Sequence, residues 1–194
     1  MTRTRLLTAS LAAAAVLAAP AALAEPATYA VDPAHTGLYF RIDHVGYSRV
    51  FGRFDSMTGS ILFDPDAPAA GRIELAIDPA SVDTNHAARD DHLRSPDFFN
   101  AAEFPELTFR STTIEVTGDN RATVTGDFTM LGVTKPVSLD VTFNRLAPYP
   151  FAEGQVRVGF SATGTVRRSD HGMSYALDAL GDEVELLLEV EAFR

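Results

Sequence analysis

Cysteine is absent from the 194 residues, so neither a disulfide nor a thiolate-bound metal can hold this fold, and its stability must come from packing and hydrogen bonds. Basic residues are in short supply, 16 against 26 acidic ones for a formal charge of -10. Such a field repels nucleic acid and anionic lipid surfaces. Glycine-rich phosphate loops are missing, which removes the usual basis for nucleotide binding. No serine sits in a nucleophile elbow: Ser48 and Ser161 lack the second glycine, since Val50 and Thr163 stand there. Low-complexity tracts, internal repeats and linkers are absent as well.

Long apolar runs are lacking but for one at the N-terminus. Arg3 and Arg5 precede an Ala/Leu stretch from Leu6 to Ala19, and Ala22-Leu23-Ala24 supplies a small-x-small cleavage site. The stretch is short for a bilayer span and is broken by Pro20, so residues 1–24 read as a secretory signal peptide. Cleavage after Ala24 would leave a periplasmic protein starting at Glu25, without a lipoprotein anchor for want of a cysteine and without a transmembrane segment. Residues 25–194 fit one domain with a sizeable core. Dropping Arg3 and Arg5 from the 16 basic residues leaves 14 against the same 26 acidic ones, an excess that serves solubility.

The remaining chain alternates apolar and polar residues at spacing two in about ten runs, the pattern of antiparallel strands with one dry face. The last run is the clearest: Val184, Leu186, Leu188, Val190 and Ala192 share one side, and Glu183, Glu185, Glu189 and Glu191 the other. The same alternation points Leu38, Phe40, Ile42 and His44 inward, then Ile73, Leu75 and Ile77, then Val124, Gly126, Phe128 and Met130. It does likewise for Val137, Leu139, Val141 and Phe143, and for Val156, Val158, Phe160 and Ala162. Turn signals fall at Thr58-Gly59, Pro65 to Gly71, Gly118-Asp119-Asn120, Gly132 to Pro136 and Pro148 to Gly154. One excursion, about residues 84–100, reads as helical. It has a helix over His86 to Arg94 and a second start with Ser95 as N-cap and Pro96 at the first helical position. Phe98, Phe99 and Phe104 follow, as on a flap that closes over something apolar. Strands of this kind build a closed barrel or a two-sheet sandwich; a barrel of about eight strands leaves room for a ligand, whereas a sandwich fills its own interior.

Five histidines raise the question of metal. His86 and His92 are six residues apart, roughly 120° out of alignment on a helix and unlike the i, i+4 pair that grips one ion. Asp90 and Asp91 point in different directions and read as a solvated face, with Asp90 four residues before Arg94 and within reach of His86. His44 extends the apolar face of its strand and marks the rim of whatever that strand encloses, or else is a core histidine bonded to a backbone carbonyl.

Several segments then occur together and in order: Tyr29-Ala30-Val31-Asp32, His44-Val45-Gly46-Tyr47-Ser48, Ser81 through Asp90, His92-Leu93-Arg94-Ser95 with Asp97-Phe98, Gly132 to Val137, and Gly181-Asp182-Glu183-Val184. In these the chain resembles the YceI-like polyisoprenoid-binding family of bacterial periplasmic proteins. The resemblance implies an all-β fold, an extended antiparallel lipocalin-like barrel with one short helical excursion. It implies a long-chain isoprenoid, an isoprenoid quinone or another amphiphilic lipid as ligand. It further implies no catalytic activity and no cofactor beyond that ligand, stress-induced expression, and for some members a cytochrome b561-type membrane partner. Arg168-Ser169-Asp170-His171-Gly172-Met173 departs from part of the family by placing His171 where an aromatic is common.

On this reading the ligand-contacting residues of the lumen are Leu38, Phe40, Ile42 and His44 on one strand, Phe54, and Phe98 and Phe99 on the excursion. Phe109, the set Val124, Phe128 and Met130, the set Val158, Phe160 and Ala162, and finally Met173 complete the wall. Two other classes of function compete: a ligand-free sandwich serving as a periplasmic interaction module, and a lipid-modifying enzyme with His44 and a carboxylate at the rim. Intact-mass measurement of exported protein is expected to give a chain beginning at Glu25; retention of residues 1–24 would refute the leader.

Overall fold

The computed structural model describes residues 26–194, so the expected leader and the start at Glu25 lie outside the described residues. Eleven strands follow one another in a meander: β1 (Ala27–Val31), β2 (Gly37–His44), β3 (Ser48–Phe54), β4 (Met57–Phe63), β5 (Arg72–Ile77), β6 (Val82–Asp83), β7 (Leu107–Gly118), β8 (Arg121–Met130), β9 (Val133–Pro148), β10 (Val156–Arg167) and β11 (Leu180–Phe193). A single helix, α1 (Ala87–Arg94), lies between β6 and β7. Eight strands close a ring in the order β1-β4-β5-β7-β8-β9-β10-β11, with β11 returning to β1. The fold is a closed antiparallel barrel.

The other three strands continue members of that ring. β2 carries on from β1 along the same neighbour, β11. β3 runs into β4 across a bend at Asp55-Ser56, and β6 resumes β5 after the short 3-10 turn Pro79–Ser81. Beyond these breaks β6 pairs with β3 alone, while β7 begins only at Leu107, opposite Ile77. A gap in the wall results. The excursion fills it and brings Leu93, Phe98 and Phe99 over the apolar interior, where the expected flap would put its aromatics.

Inside the excursion, His86 caps α1 by accepting the Arg89 amide at 3.2 Å. Ser95-Pro96 opens a turn and no second helix: the Phe98 amide returns to the Ser95 carbonyl at 3.0 Å. Asp90 faces inward, against its expected solvated position, and is buried where it accepts the Thr84 amide at 2.9 Å and the Thr84 hydroxyl. Burial alone would raise the pKa of this carboxyl, but those bonds outweigh it and hold the group below the usual carboxylate range. The His86 ring is taken by that cap and His86 meets Asp90 only through its backbone, while Arg94 bonds Asp91 at 2.9 Å together with the carbonyls of Ala80 and Val82.

The alternating runs fall on the strands as expected, with the inner face of β11 set by Val184, Leu186, Leu188, Val190 and Ala192. One turn signal does not: Gly59 lies within β4 at φ +154°, and a Cβ there would stand 2.1 Å from the Glu74 carbonyl. Its glycine serves close strand approach. The β8–β9 turn is tighter than expected, confined to Leu131-Gly132 with both residues left-handed.

Closure rests on a short seam. β1 meets β11 through two residue pairs, Ala30 with Phe193 and Val31 with Ala192, and the Asp32 amide adds a bond to the Glu191 carbonyl at 2.8 Å. Arg157 of β10 clamps that point, reaching Asp32 at 2.7 Å and Glu191 at 2.6 Å with its guanidinium 3.9 Å over the Tyr149 ring. Burial would raise the Asp32 pKa, but bonds from His35, the Ala34 amide and Arg157 hold it below the usual carboxylate range. A carboxyl that is more acidic when folded stabilises fully above about pH 4, where the unfolded group is ionised, and that contribution is lost as pH falls through the lower folded value. Asp32→Asn is thus expected to cost on the order of 2 kcal/mol in urea unfolding at pH 7. The gap to the parent should narrow below about pH 4; an equal gap at both pH values would contradict the clamp.

Candidate functional site

The interior of the barrel is incompletely filled. Two cavities lie along it, one of about 180 Å³ towards the chain termini and one of about 280 Å³ towards the helix. They share no lining residue, and the boundary between them can be traced strand by strand. On β8 it passes between Val124 and Phe128, on β10 between Ala162 and Val166, and on β11 between Leu188 and Leu186. The inward residues at that level on β8 and β10 are Gly126 and Gly164. A side chain from the neighbouring strand lies over each: a Cβ on Gly126 would be 2.4 Å from the Phe109 ring, and one on Gly164 2.5 Å from Leu139. These two side chains form a waist.

The terminal cavity is walled by Ile61, Phe63, Leu75, Ile114, Val141 and Phe143, among others, and joins Phe109, Val124, Phe160 and Ala162 from the expected set. Phe63, Phe143 and Phe160 cluster there with ring centroids 5.2 to 5.8 Å apart. The helix-side cavity takes Leu38, Phe40, Ile42, His44, Phe54, Phe98, Phe99, Phe128, Met130 and Met173 from that set. Val158 lines neither; it is wholly buried in the packed core. His44 is exposed at the mouth, not a buried core histidine.

Sequence reasoning missed the polar part of this wall. Thr84, Arg89, His92, Arg168 and Tyr175 all border the helix-side cavity. Arg89 is fixed by Thr84, donating from Nε to the hydroxyl and from Nη2 to the carbonyl, both at 2.7 Å. His92, Phe98 and Tyr175 pack edge to face at 5.0 to 5.3 Å, with His92 bonded outward to Asp97 at 2.9 Å. Arg168 is 2% exposed and ties the loop after β10 together through the carbonyls of Gly181, Met173, Tyr175 and Leu180. Burial pushes the pKa of this guanidinium down, opposed only by the charge of Asp182. His171 is buried, donates to the Val133 carbonyl at 2.9 Å and stands edge-on to Phe128, so it supports the wall from behind. Arg168 sits in a turn, and no periodic signal marks it.

Asp32, His35 and Glu191 could in geometry hold a cation, but the Arg157 guanidinium bridges two of those carboxylates and supplies the positive charge. That cluster belongs to the seam. Among the described residues no helix is long and apolar enough to cross a membrane.

The model of the YceI-like domain matches residues 29–192, nearly the whole described chain. The chain belongs to the YceI-like family. Among its relatives, the UPF0312 protein of Pseudomonas aeruginosa strain LESB58 is 43% identical over 160 residues, covering 82% of each chain. Protein YceI of Escherichia coli O157:H7 is 42% identical over 157 residues, 81% of each. The YceI-like barrel is also seen in solved structures. BcnA of Burkholderia cenocepacia superposes with a TM-score of 0.74 at 25% identity, covering 84% of this chain and 99% of that one. The Campylobacter jejuni YceI protein gives 0.70 at 34%, covering 79% and 90%.

A substitution tests whether the terminal cavity is real. Ala162→Phe adds a ring that a filled core could take up only at about 1 to 3 kcal/mol, whereas a cavity accepts it. Denaturant unfolding of lipid-free protein is expected to change by less than about 1 kcal/mol; a larger loss would mean that no usable space exists at this depth.

Proposed function

We propose that the protein binds a long-chain isoprenoid lipid, a polyprenyl chain or isoprenoid quinone, and stores or carries it without chemical change. The observation that carries this reading is the pair of apolar cavities strung along one barrel, placed for a chain that threads the waist. A polyisoprenoid-binding domain from Saccharophagus degradans shares the fold, with a TM-score of 0.66 at 17% identity over 84% of this chain and 97% of that one. The proposed setting is the periplasm, on the strength of the leader at residues 1–24, and a membrane partner of the cytochrome b561 type belongs to the same reading.

Energetics agree with a carrier. At about 0.8 kcal/mol per methylene removed from water, a chain of several isoprene units gains on the order of tens of kcal/mol gross. Ordering the tail and protein offsets much of this, since affinities saturate near about 20 kcal/mol. Taken from a bilayer, whose interior already solvates the tail, uptake is close to neutral and hence reversible. An enzymatic reading would need a polar pair at the mouth; among the described residues no carboxylate lines the cavity beside His44.

Organic extraction of natively purified protein, followed by mass spectrometry, is expected to recover an isoprenoid lipid at near-stoichiometric amounts. Stripped protein should reload, and Ala162→Phe should reload less. Protein that yields no lipid and takes none up would instead favour an interaction module.

A further inference from the structure

The two compartments differ in charge, and the difference runs against the composition of the chain. In a protein with 26 acidic residues, no Asp or Glu among the described residues lines the helix-side cavity, while Arg89 and Arg168 both do, beside His44 and His92. The terminal cavity carries one charge of each sign, Asp119 and Arg121.

The carboxylates near the helix-side cavity are already engaged. Asp90 is held by Thr84, Asp97 by His92, and Asp182 by Ser169 and Arg167. Neither Arg89 nor Arg168 has a carboxylate within ion-pair distance among the described residues. Arg168 spends its donors on backbone carbonyls and remains a buried charge with no counter-ion in contact. An unpaired buried cation beside an apolar space is costly, and a negative group entering that space relieves the cost. Arg89, itself exposed, is held by Thr84 at Nε and Nη2, which leaves its Nη1 donors without a protein partner among the described residues and able to donate to a carboxylate or phosphate oxygen.

We propose that the helix-side cavity selects amphiphiles with an anionic head, a phosphate or carboxylate, bound at Arg89 under the positive field of Arg168, with the tail directed through the waist towards the termini. The inference rests on the lumen being a lipid site, as proposed above. It adds the chemical class of the head and the direction of the chain.

The test uses four probes that share one tail: farnesyl phosphate, farnesoic acid, farnesol and farnesylamine. Each is titrated into delipidated protein below its aggregation concentration and read by native mass spectrometry and calorimetry. The expected result is an affinity for the two anions at least about tenfold above that of farnesol, with the amine weakest; an advantage confined to the phosphate would assign the head as a phosphate. In Arg89→Gln the affinity ratio of the anions to farnesol should fall to about threefold or less, and Arg89→Lys should recover part of it. Circular dichroism and urea unfolding of each variant check that it is folded. Equal affinities for phosphate, acid, alcohol and amine, or an Arg89→Gln protein that keeps the full anion advantage, would overturn the head assignment and leave the lumen reading intact. Failure of all four probes to bind would overturn both.

Discussion

Between β1 and β11 the sheet is joined by two residue pairs, and the Asp32–Arg157–Glu191 cluster holds that junction from outside. The interior depends on it. An open eight-stranded sheet would present one continuous apolar face to water and would have to fold over on itself to hide it, filling the space in doing so. Joining first strand to last removes two edges at once and encloses a volume that the inward side chains need not fill. A part-buried charge cluster is poor evidence for stability by itself. Here its position matters more than its strength, because it ties three strands at the place where the ladder is shortest.

Within the closed ring, size alternation decides where space remains. Gly126 and Gly164 let Phe109 and Leu139 lie across the wall at one level, and the lumen divides there. Towards the helix the ring is no longer complete. β2, β3 and β6 continue the wall, and Leu93, Phe98 and Phe99 close what the strands leave open. The same excursion brings in Thr84, Arg89 and His92, so the part of the wall that is not sheet is also the part that is polar.

This division explains what could be read in the chain. Period-two alternation depends only on which way successive side chains point, and it located the inner faces of β8, β10 and β11 residue by residue. Fourteen of the fifteen expected lumen residues border a cavity, Val158 alone being packed away. Features set by contacts between distant segments were not legible. Gly59 has the composition of a turn but answers to the Glu74 carbonyl across the sheet. Asp90 sits among charged residues in sequence yet is turned inward to Thr84, and Arg168 gains its meaning from two carbonyls of a loop that has no period and two at the start of β11. Ser95-Pro96 carries a helix-start signal, but the Ser95 amide closes α1 on the His92 carbonyl and its carbonyl is taken by the Phe98 and Asn100 amides in the turn that delivers Phe98 and Phe99 to the wall.

The unpaired margin of β6 has a bearing on crowding. A strand edge with free carbonyls invites the strand of another molecule, which is how β proteins begin to form fibres. β6 is two residues long, and Arg94 occupies the carbonyls of Val82 and of Ala80 just before it, at 2.9 and 2.7 Å. The sheet can therefore be interrupted where the excursion inserts without exposing a template, and crowded copies need not add to one another's sheets.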